Sequence, residues 1–198
     1  MSLEFFDKYK HKIISTKQIK KIKSLNKKKK IVLCHGVFDI VHPGHLRHLA
    51  HAKSKGDILI VSITADKFIE KGINRPHVPE NLRALNLSVF EMVDYVTIDR
   101  NKTAVNILNL VRPDYYVKGF EYFSSGLPIA TKDEMRLVKK YKGKMIFSPG
   151  DFVYSSTKIL NSNLPRINIE KLLMLLEKNK VTFEKILNTI ENLKNTSV

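Results

Sequence analysis

The chain reads Gly36-Val37-Phe38-Asp39-Ile40-Val41-His42-Pro43-Gly44-His45 between an apolar run at 31–34 and a helix-like stretch at 45–53. A strand that passes through a glycine-containing turn into a helix is where α/β proteins bind phosphate, because backbone N–H groups converge there. His42 and His45 add side-chain donors, and Gly44 lets a ligand approach the backbone. Pro43 suits the first turn of a helix. The pattern therefore predicts a site for a polyphosphate that reacts.

The rest of the sequence indicates the fold in which this turn lies. From residue 30 onward, apolar strand-like runs alternate with helical stretches. This alternation predicts an α/β fold with a Rossmann-like open parallel sheet and helices on both faces. We expect strands at 31–34, 57–63, 95–98, 114–117 and 144–147, and helices at 44–55, 79–92, 103–111 and 131–141. Residues 165–198 carry two amphipathic stretches and predict a C-terminal helical hairpin.

Length and composition narrow the class of protein. With 198 residues, 43% of them hydrophobic and 27% charged, the chain can bury the core of one domain of ordinary size. It has no run of about 18 apolar residues, so a transmembrane span is not expected. A lone cysteine, Cys34, excludes an intrachain disulfide framework and favours the reducing cytoplasm.

The positive charge is concentrated at the start of the chain. The formal net charge is +16, and residues 1–30 contain eleven lysines against Glu4 and Asp7. We interpret residues 1–29 as a basic N-terminal helical extension with a solvated surface. The alternative is a non-catalytic basic module that binds nucleic acid. We disfavour it because no arginine or aromatic side chain is interleaved in the run Lys27–Lys30 to hold bases. It also leaves the phosphate motif unexplained.

A second motif lies roughly 110 residues after the first and reads Tyr154-Ser155-Ser156-Thr157-Lys158-Ile159. The two motifs, in this order and at this separation, resemble the H-x-G-H signature and the I-S-T-T-K-I element of the nucleotidylyltransferase superfamily. Within it, the chain most resembles the adenylyltransferase domain of bifunctional heptose-phosphate kinase/adenylyltransferases and their cytidylyltransferase-like relatives. The supporting residues are Gly56-Asp57-Ile58-Leu59-Ile60-Val61, Lys71-Gly72 with Arg75-Pro76, Arg83, Val93-Asp94-Tyr95-Val96, and Val117-Lys118-Gly119-Phe120-Glu121-Tyr122.

The resemblance covers roughly residues 30–162 and implies a nucleotidylyltransferase domain at 30–164. The hairpin at 165–198 resembles the connector that leads to a kinase domain in fused relatives. By resemblance we also expect a homodimer, and Mg²⁺ that arrives with the nucleoside triphosphate rather than in a protein cage.

The implied reaction moves a nucleotidyl group from a nucleoside triphosphate, with ATP favoured over CTP, to a sugar phosphate such as heptose 1-phosphate. Pyrophosphate leaves, and the product would serve as a precursor of surface polysaccharide. The alternative is a CTP-dependent cytidylyltransferase for glycerol 3-phosphate or another polyol phosphate. Glycerol-3-phosphate cytidylyltransferases typically carry an arginine before the second motif, whereas residues 149–153 here contain none.

Such a transfer brings two anions together, so the protein must supply hydrogen-bond donors and cations. We assign the catalytic residues as His42, His45 and Lys118, the last because it directly follows a predicted strand, at its carboxyl end. The nucleotide-binding set is Gly36, Val37, Phe38, His42, Gly44, His45, Ser155, Ser156 and Thr157. The acceptor-binding set is Asp39, Lys71, Arg75 and Arg83. His48 and His51 continue a spacing of three residues, and we expect them at the surface rather than around a metal.

Overall fold

The computed structural model describes residues 4–70, 75–119 and 127–148. A parallel five-stranded sheet lies at the centre, with the strand order β3-β2-β1-β4-β5. The strands are β1 (Ile31–Gly36), β2 (Ile58–Thr64), β3 (Tyr95–Asp99), β4 (Tyr115–Lys118) and β5 (Lys144–Phe147). Each lies within two residues of its predicted bounds, so the predicted α/β parallel sheet is confirmed.

Six helices accompany the sheet in the described ranges. They are α1 (Glu4–Lys10), α2 (Thr16–Leu25), α3 (Pro43–Lys53), α4 (Glu80–Ser88), α5 (Val105–Val111) and α6 (Ile129–Lys140), with a 3₁₀ turn at Asp66–Phe68. Helix α4 ends earlier than predicted, because a turn at Phe90 and Val93 redirects the chain into β3. The predicted hairpin at 165–198 lies outside the described residues.

Two apolar clusters occupy the two faces of the sheet, which confirms helices on both sides. Helices α2, α5 and α6 supply one cluster, with Ile19, Leu108 and Val138 among its buried residues. Helices α3 and α4 supply the other, which includes Leu49 and Leu87. Successive strand residues point to opposite faces, so each buried strand contributes to both clusters.

The N-terminal residues pack into this core although the sequence indicated a surface extension. Ile13 forms a parallel bridge with Val96, and the N–H of Ile14 donates to the carbonyl of Val96 at 2.8 Å. Ile19 and Ile22 are buried on the face of α2 that meets the sheet, while Lys20 on the same helix is exposed. The apolar spacing of the isoleucines therefore builds part of the domain, and the lysines of the same segment remain in solvent.

The strand order reverses between β1 and β4, which are neighbours in the sheet but not in the chain. In open parallel sheets, such a reversal leaves a crevice at the carboxyl ends of the two strands, where ligands bind. Here those ends are Gly36 and Lys118. The segment that follows Gly36, residues 36–45, is called the histidine segment below. Within the described ranges no helix has both the length and the apolar composition to cross a membrane.

Candidate active site

His42 caps the amino end of helix α3. Its backbone is extended, with φ −137° and ψ 168°, and its Nδ1 accepts a hydrogen bond from the N–H of Gly44 at 3.1 Å. Pro43 occupies the first helical position, as predicted. Because Nδ1 accepts a hydrogen bond, the neutral imidazole carries its proton on Nε2. His42 can therefore donate from Nε2 to a phosphate oxygen.

The sequence predicts that backbone N–H groups of this turn bind phosphate, and three of these groups donate to His42 in the structure. The N–H of Gly44 donates to the His42 ring, and the N–H groups of His45 and Leu46 donate to the His42 carbonyl at 2.8 and 3.2 Å. These backbone donors close the first turn of α3 in this structure. Within this turn, these three backbone N–H groups therefore already have acceptors in the protein.

His45 stacks on His42. The two ring centroids are 3.8 Å apart and the planes differ by 30°. The ring of Phe38 packs against His45, with 5.0 Å between the ring centroids and 55° between the ring planes. The two predicted catalytic imidazoles therefore form one unit supported by a buried aromatic ring.

Phe38 reaches His45 because the histidine segment turns sharply after β1. Its φ is +49°, in the left-handed region that side chains other than glycine seldom adopt. A side chain on Gly36 would lie 3.1 Å from the Phe38 ring, tighter than an ordinary contact. Glycine at position 36 thus lets the ring fold back over the end of the strand and contact His45.

Asp39 connects the histidine segment to the chain that precedes α4. Its Oδ1 accepts hydrogen bonds from the N–H groups of His77 and Val78 at 2.8 and 2.9 Å. Arg75 lies on the other side of the carboxylate, with 3.9 Å between Nη1 and Oδ2. The structure therefore brings the predicted acceptor residues Asp39 and Arg75 together, with both side chains nearly enclosed.

Arg83 is placed differently from the expectation of a phosphate-binding cation. Its side chain is fully buried in α4, and its guanidinium donates to the carbonyls of Val37, Thr64 and Val78 and to the carboxylate of Asp66. Four protein oxygens thus surround the charged group, which is closed to solvent. This placement favours a role in joining loops over direct contact with the acceptor.

Lys118, predicted to be catalytic, ends β4 as expected but lies in a buried ion pair. Its Nζ is 2.5 Å from Oε2 of Glu134 on α6, and the side chains are 8% and 7% exposed. The hydroxyl of Tyr116 donates to the same oxygen at 3.4 Å. The lysine shares a sheet face with Tyr116 and hence with α6, whereas α3 packs on the other face. The amine of Lys118 is therefore held on the α6 side of the sheet by Glu134.

A cavity of about 450 Å³ borders the histidine segment, within the range of small-molecule sites. It is lined on one side by Asp39, His42 and their neighbours in the histidine segment, and on the other by Asn86, Val89 and Phe90. One of the predicted catalytic imidazoles and one predicted acceptor residue thus face a space that can hold a ligand.

The later histidines of α3 differ from the first two. His48 is partly buried, and its Nδ1 lies 3.0 Å from Oγ of Ser148, just beyond the end of β5. Burial, and to a smaller extent the neighbouring His51, lowers the pKa of His48 to about 4. The expectation that His48 is a surface residue is therefore wrong, because the side chain joins α3 to β5. Burial likewise lowers the pKa of His51, with a further contribution from Lys55.

Several polar residues at the carboxyl ends of the strands were not predicted. His35 lies between Ser62 and Thr64 of β2, with its ring nitrogens 3.0 and 3.3 Å from their hydroxyls. Asp99 is 1% exposed at the end of β3, and burial raises the pKa of its carboxyl above the ordinary value, although a hydrogen bond from Asn101 partly opposes this shift. The sequence did contain a signal for these residues, because each lies at the end of an apolar run. Polar residues at the carboxyl ends of parallel strands meet at one edge of the sheet, where ligands bind.

Other predicted site residues lie outside the described ranges. These are Lys71 and the three hydroxyl residues of the second motif, Ser155, Ser156 and Thr157. Among the described residues, no three histidine, cysteine, aspartate or glutamate side chains come together in a group that could hold a metal ion.

Comparison with known proteins assigns a family to this geometry. The cytidylyltransferase-like family model matches residues 33–162, which contain both motifs and most of the described sheet. The bifunctional protein HldE of Campylobacter concisus is 36% identical over 149 residues, which are 73% of this chain and 31% of that protein. HldE of Campylobacter curvus is 40% identical over 141 residues, 69% of this chain and 30% of that protein. The chain thus spans less than a third of the length of these relatives.

Solved structures support the fold alone. The lipopolysaccharide core biosynthesis protein from Thermoplasma volcanium has a TM-score of 0.53 at 24% identity, covering 61% of this chain and 97% of its own. Pantoate-beta-alanine ligase from Francisella tularensis, solved with an ATP analogue and beta-alanine, has a TM-score of 0.55 at 19% identity, covering 91% of this chain and 85% of its own.

Proposed function

The chain belongs to the cytidylyltransferase-like family of nucleotidyltransferases, and on that premise we propose that it transfers a nucleotidyl group from a nucleoside triphosphate to a sugar phosphate. Similarity to the bifunctional protein HldE supports a sugar phosphate as acceptor. ATP with a sugar 1-phosphate, such as heptose 1-phosphate, is the leading pair. CTP with a sugar or polyol phosphate is the second candidate.

The observation that carries this proposal is the stacked pair of His42 and His45 at the start of α3. The pair follows directly from β1, one of the two strands between which the sheet order reverses. The hydrogen bond from Gly44 to Nδ1 places the proton of the neutral His42 ring on Nε2. Two imidazoles held in this way by the main chain and by Phe38 are preorganised donors, which stabilise charge without having to reorient.

In the proposed reaction, an oxygen of the acceptor phosphate attacks the α-phosphorus of the triphosphate. The new P–O bond forms as the bond from the α-phosphorus to the bridging oxygen of the β-phosphate breaks, and pyrophosphate leaves with that electron pair. His42 and His45 donate hydrogen bonds to phosphate oxygens whose negative charge grows in the transition state. The rate enhancement then comes from holding two anions in line and from neutralising their charge.

Magnesium would enter bound to the triphosphate and would neutralise part of its charge. The described residues fit this route, because the histidine segment offers imidazole donors and its one carboxylate, on Asp39, already accepts hydrogen bonds from His77 and Val78. The chain's own contribution is to bind and orient the phosphates.

The remaining assignments extend the proposal beyond the described residues. We assign Ser155, Ser156 and Thr157 to the β- and γ-phosphates, and Lys71 with Arg75 to the acceptor phosphate. We further propose that the enzyme acts in the cytoplasm as a homodimer, and that a kinase domain accompanies this one in the full-length protein. The relatives, which are more than three times as long as the matched region, support the last point.

The test is a pyrophosphate-release screen in which ATP, CTP, GTP and UTP are each combined with a panel of sugar phosphates and polyol phosphates. We expect release with ATP and a sugar 1-phosphate, dependent on both substrates. A variant with alanine at both His42 and His45 controls for contaminating pyrophosphatase and transferase activity. Turnover only with CTP and glycerol 3-phosphate would replace the leading substrate pair, and no release with any pair would contradict the proposed reaction.

A further inference from the structure

We propose that Arg83 is a positioning residue that sets the conformation of the histidine segment and thereby aligns His42 and His45. The proposal rests on the proposed function, because the aligned groups are its catalytic histidines. It assigns to Arg83 an effect on turnover without contact to either substrate.

The first support is the set of groups that the guanidinium joins. Nη1 donates to the carbonyl of Val37, at the start of the histidine segment, and Nη2 donates to the carbonyl of Thr64 at the end of β2, 2.8 Å away. Nε donates to the carbonyl of Val78, before α4, at 2.9 Å. One planar group therefore fixes the relative positions of three separate chain segments at the carboxyl edge of the sheet.

The second support is the position of the Val37 carbonyl. It belongs to the peptide bond that leads into Phe38, whose φ of +49° is unfavourable for a phenylalanine. Such a conformation is seldom populated and persists only when surrounding contacts enforce it. The hydrogen bond from Arg83 is one contact that enforces it, and it reaches the segment directly before the strained residue.

The third support is what the strained residue touches. The ring of Phe38 packs on His45 at 5.0 Å between centroids, and His45 stacks on His42 at 3.8 Å. The arginine therefore acts on the imidazoles through a continuous series of contacts: guanidinium, Val37 carbonyl, Phe38 ring, His45 ring. A shift of the carbonyl would move the ring that supports the catalytic pair.

The charge of Arg83 is balanced within the same network. Nη2 lies 2.6 Å from Oδ1 of Asp66, whose other carboxylate oxygen accepts from the N–H of Glu80 at 3.1 Å. The N–H of Asp66 in turn donates to the carboxylate of Glu80 at 2.8 Å. These reciprocal bonds hold Asp66 in place, so the guanidinium is oriented by a fixed carboxylate as well as by the three carbonyls. A lysine could keep the ion pair but could not donate to all four oxygens at once.

The test is Arg83→Lys, compared with Arg136→Lys, which changes an exposed arginine paired with Asp133 on α6. We expect Arg83→Lys to lower kcat by about 10-fold or more, with the KM of each substrate changing less than about threefold, because misalignment acts mainly on the transition state. Arg136→Lys should leave kcat unchanged. An increase in acceptor KM at unchanged kcat would overturn the proposal and indicate direct phosphate contact.

A second readout separates this proposal from the proposed function. We expect the imidazole ring signals of His42 and His45 in the NMR spectrum to shift in Arg83→Lys and to stay in place in Arg136→Lys, whether or not the screen has found a substrate pair. Unchanged signals in a folded Arg83→Lys variant would overturn the positioning role. Absent turnover in the wild-type protein would instead contradict the proposed function.

If Arg83→Lys does not fold, Phe38→Ala tests the same series of contacts. It should lower kcat and shift the His45 ring signals, because it removes the ring through which the arginine acts. Where both variants fold, their effects on kcat should be less than multiplicative when combined, since they interrupt one path. Full turnover and unshifted His45 signals in Phe38→Ala would overturn the proposal.

Discussion

At the amino ends of the strands, acidic side chains bond to the main chain nearby, whereas at the carboxyl ends the polar side chains join several loops. Asp57 and Asp114 accept from the N–H groups of Lys30 and Ile31 at 2.7 and 2.8 Å, where the chain enters β1. Arg83, in contrast, bonds to three carbonyls and a carboxylate that come from different segments.

The difference shows how the fold separates stability from chemistry. A carboxylate at the amino edge satisfies a backbone donor that the sheet leaves without a partner, and its effect stays local. A network at the carboxyl edge fixes the mutual positions of loops, which is what a reaction between two bound anions requires. Substitutions at the amino edge should therefore change mainly the free energy of unfolding, and substitutions in the histidine segment mainly turnover.

The largest expected effect is that of His45→Ala at the carboxyl edge. Removing a donor that acts on the transition state should reduce kcat by about 10²-fold or more, while the affinity for the triphosphate falls much less. The measurements are steady-state pyrophosphate release and calorimetric titration with the triphosphate. His11→Ala, at an exposed position before the sheet, is the matched control. Near-normal turnover in His45→Ala would remove the catalytic assignment of the histidine segment.

Asp94 tests the other side of the comparison with an effect on stability. Its Oδ2 accepts from the N–H of Leu59 at 2.7 Å and from Lys53 at 2.5 Å. Asp94→Ala leaves the buried N–H of Leu59 without its acceptor and should lower the free energy of unfolding by about 1–3 kcal/mol, as measured by urea denaturation. The value of kcat should stay within about twofold of the wild type.

Asp94→Asn is the matched control for this prediction, because asparagine keeps one oxygen acceptor for Leu59 and loses only the charge. It should cost less than the alanine variant. A fall in kcat in Asp94→Ala without any loss of stability would contradict the division between the two edges.

The sheet could be predicted because its strands are short apolar runs at regular spacing, and the histidine segment because its chemistry is contiguous in the sequence. The burial of Arg83 was missed, although a signal was present. Arg83 precedes Leu87 by four residues, and residues at that spacing share a face of a helix. Leu87 is a buried apolar residue of the core, so this spacing places the arginine on the buried face as well.

Other features could not be read from the sequence, because they depend on partners far apart in the chain. Lys118 lies at the carboxyl end of a strand, where a ligand-binding lysine is expected, yet its amine pairs with Glu134 on α6. No local sequence pattern predicts that these two residues meet. The packing of Ile13 against β3 likewise requires knowing that β3 is the edge strand beside it. The end of a strand is a candidate position for a ligand-binding residue. Tertiary contacts determine whether its side chain faces a ligand or pairs with another residue of the protein.

The smallest expected effect is that of His48, which tests whether a residue at the carboxyl edge can also act on stability. Its side chain joins α3 to the carboxyl end of β5 through a single contact with Ser148. Burial lowers its pKa to about 4, so below the ordinary histidine value the unfolded chain takes up a proton that the folded chain does not. The free energy of unfolding should therefore fall as the pH is lowered from about 6.5 toward about 4, by on the order of 1 kcal/mol.

In His48→Gln this part of the pH dependence should disappear, because glutamine does not titrate. Urea denaturation at about pH 7 and about pH 5 measures it, with His11→Gln as the exposed control. If wild type and His48→Gln lose the same stability over that interval, the imidazole of His48 is not held neutral by its burial.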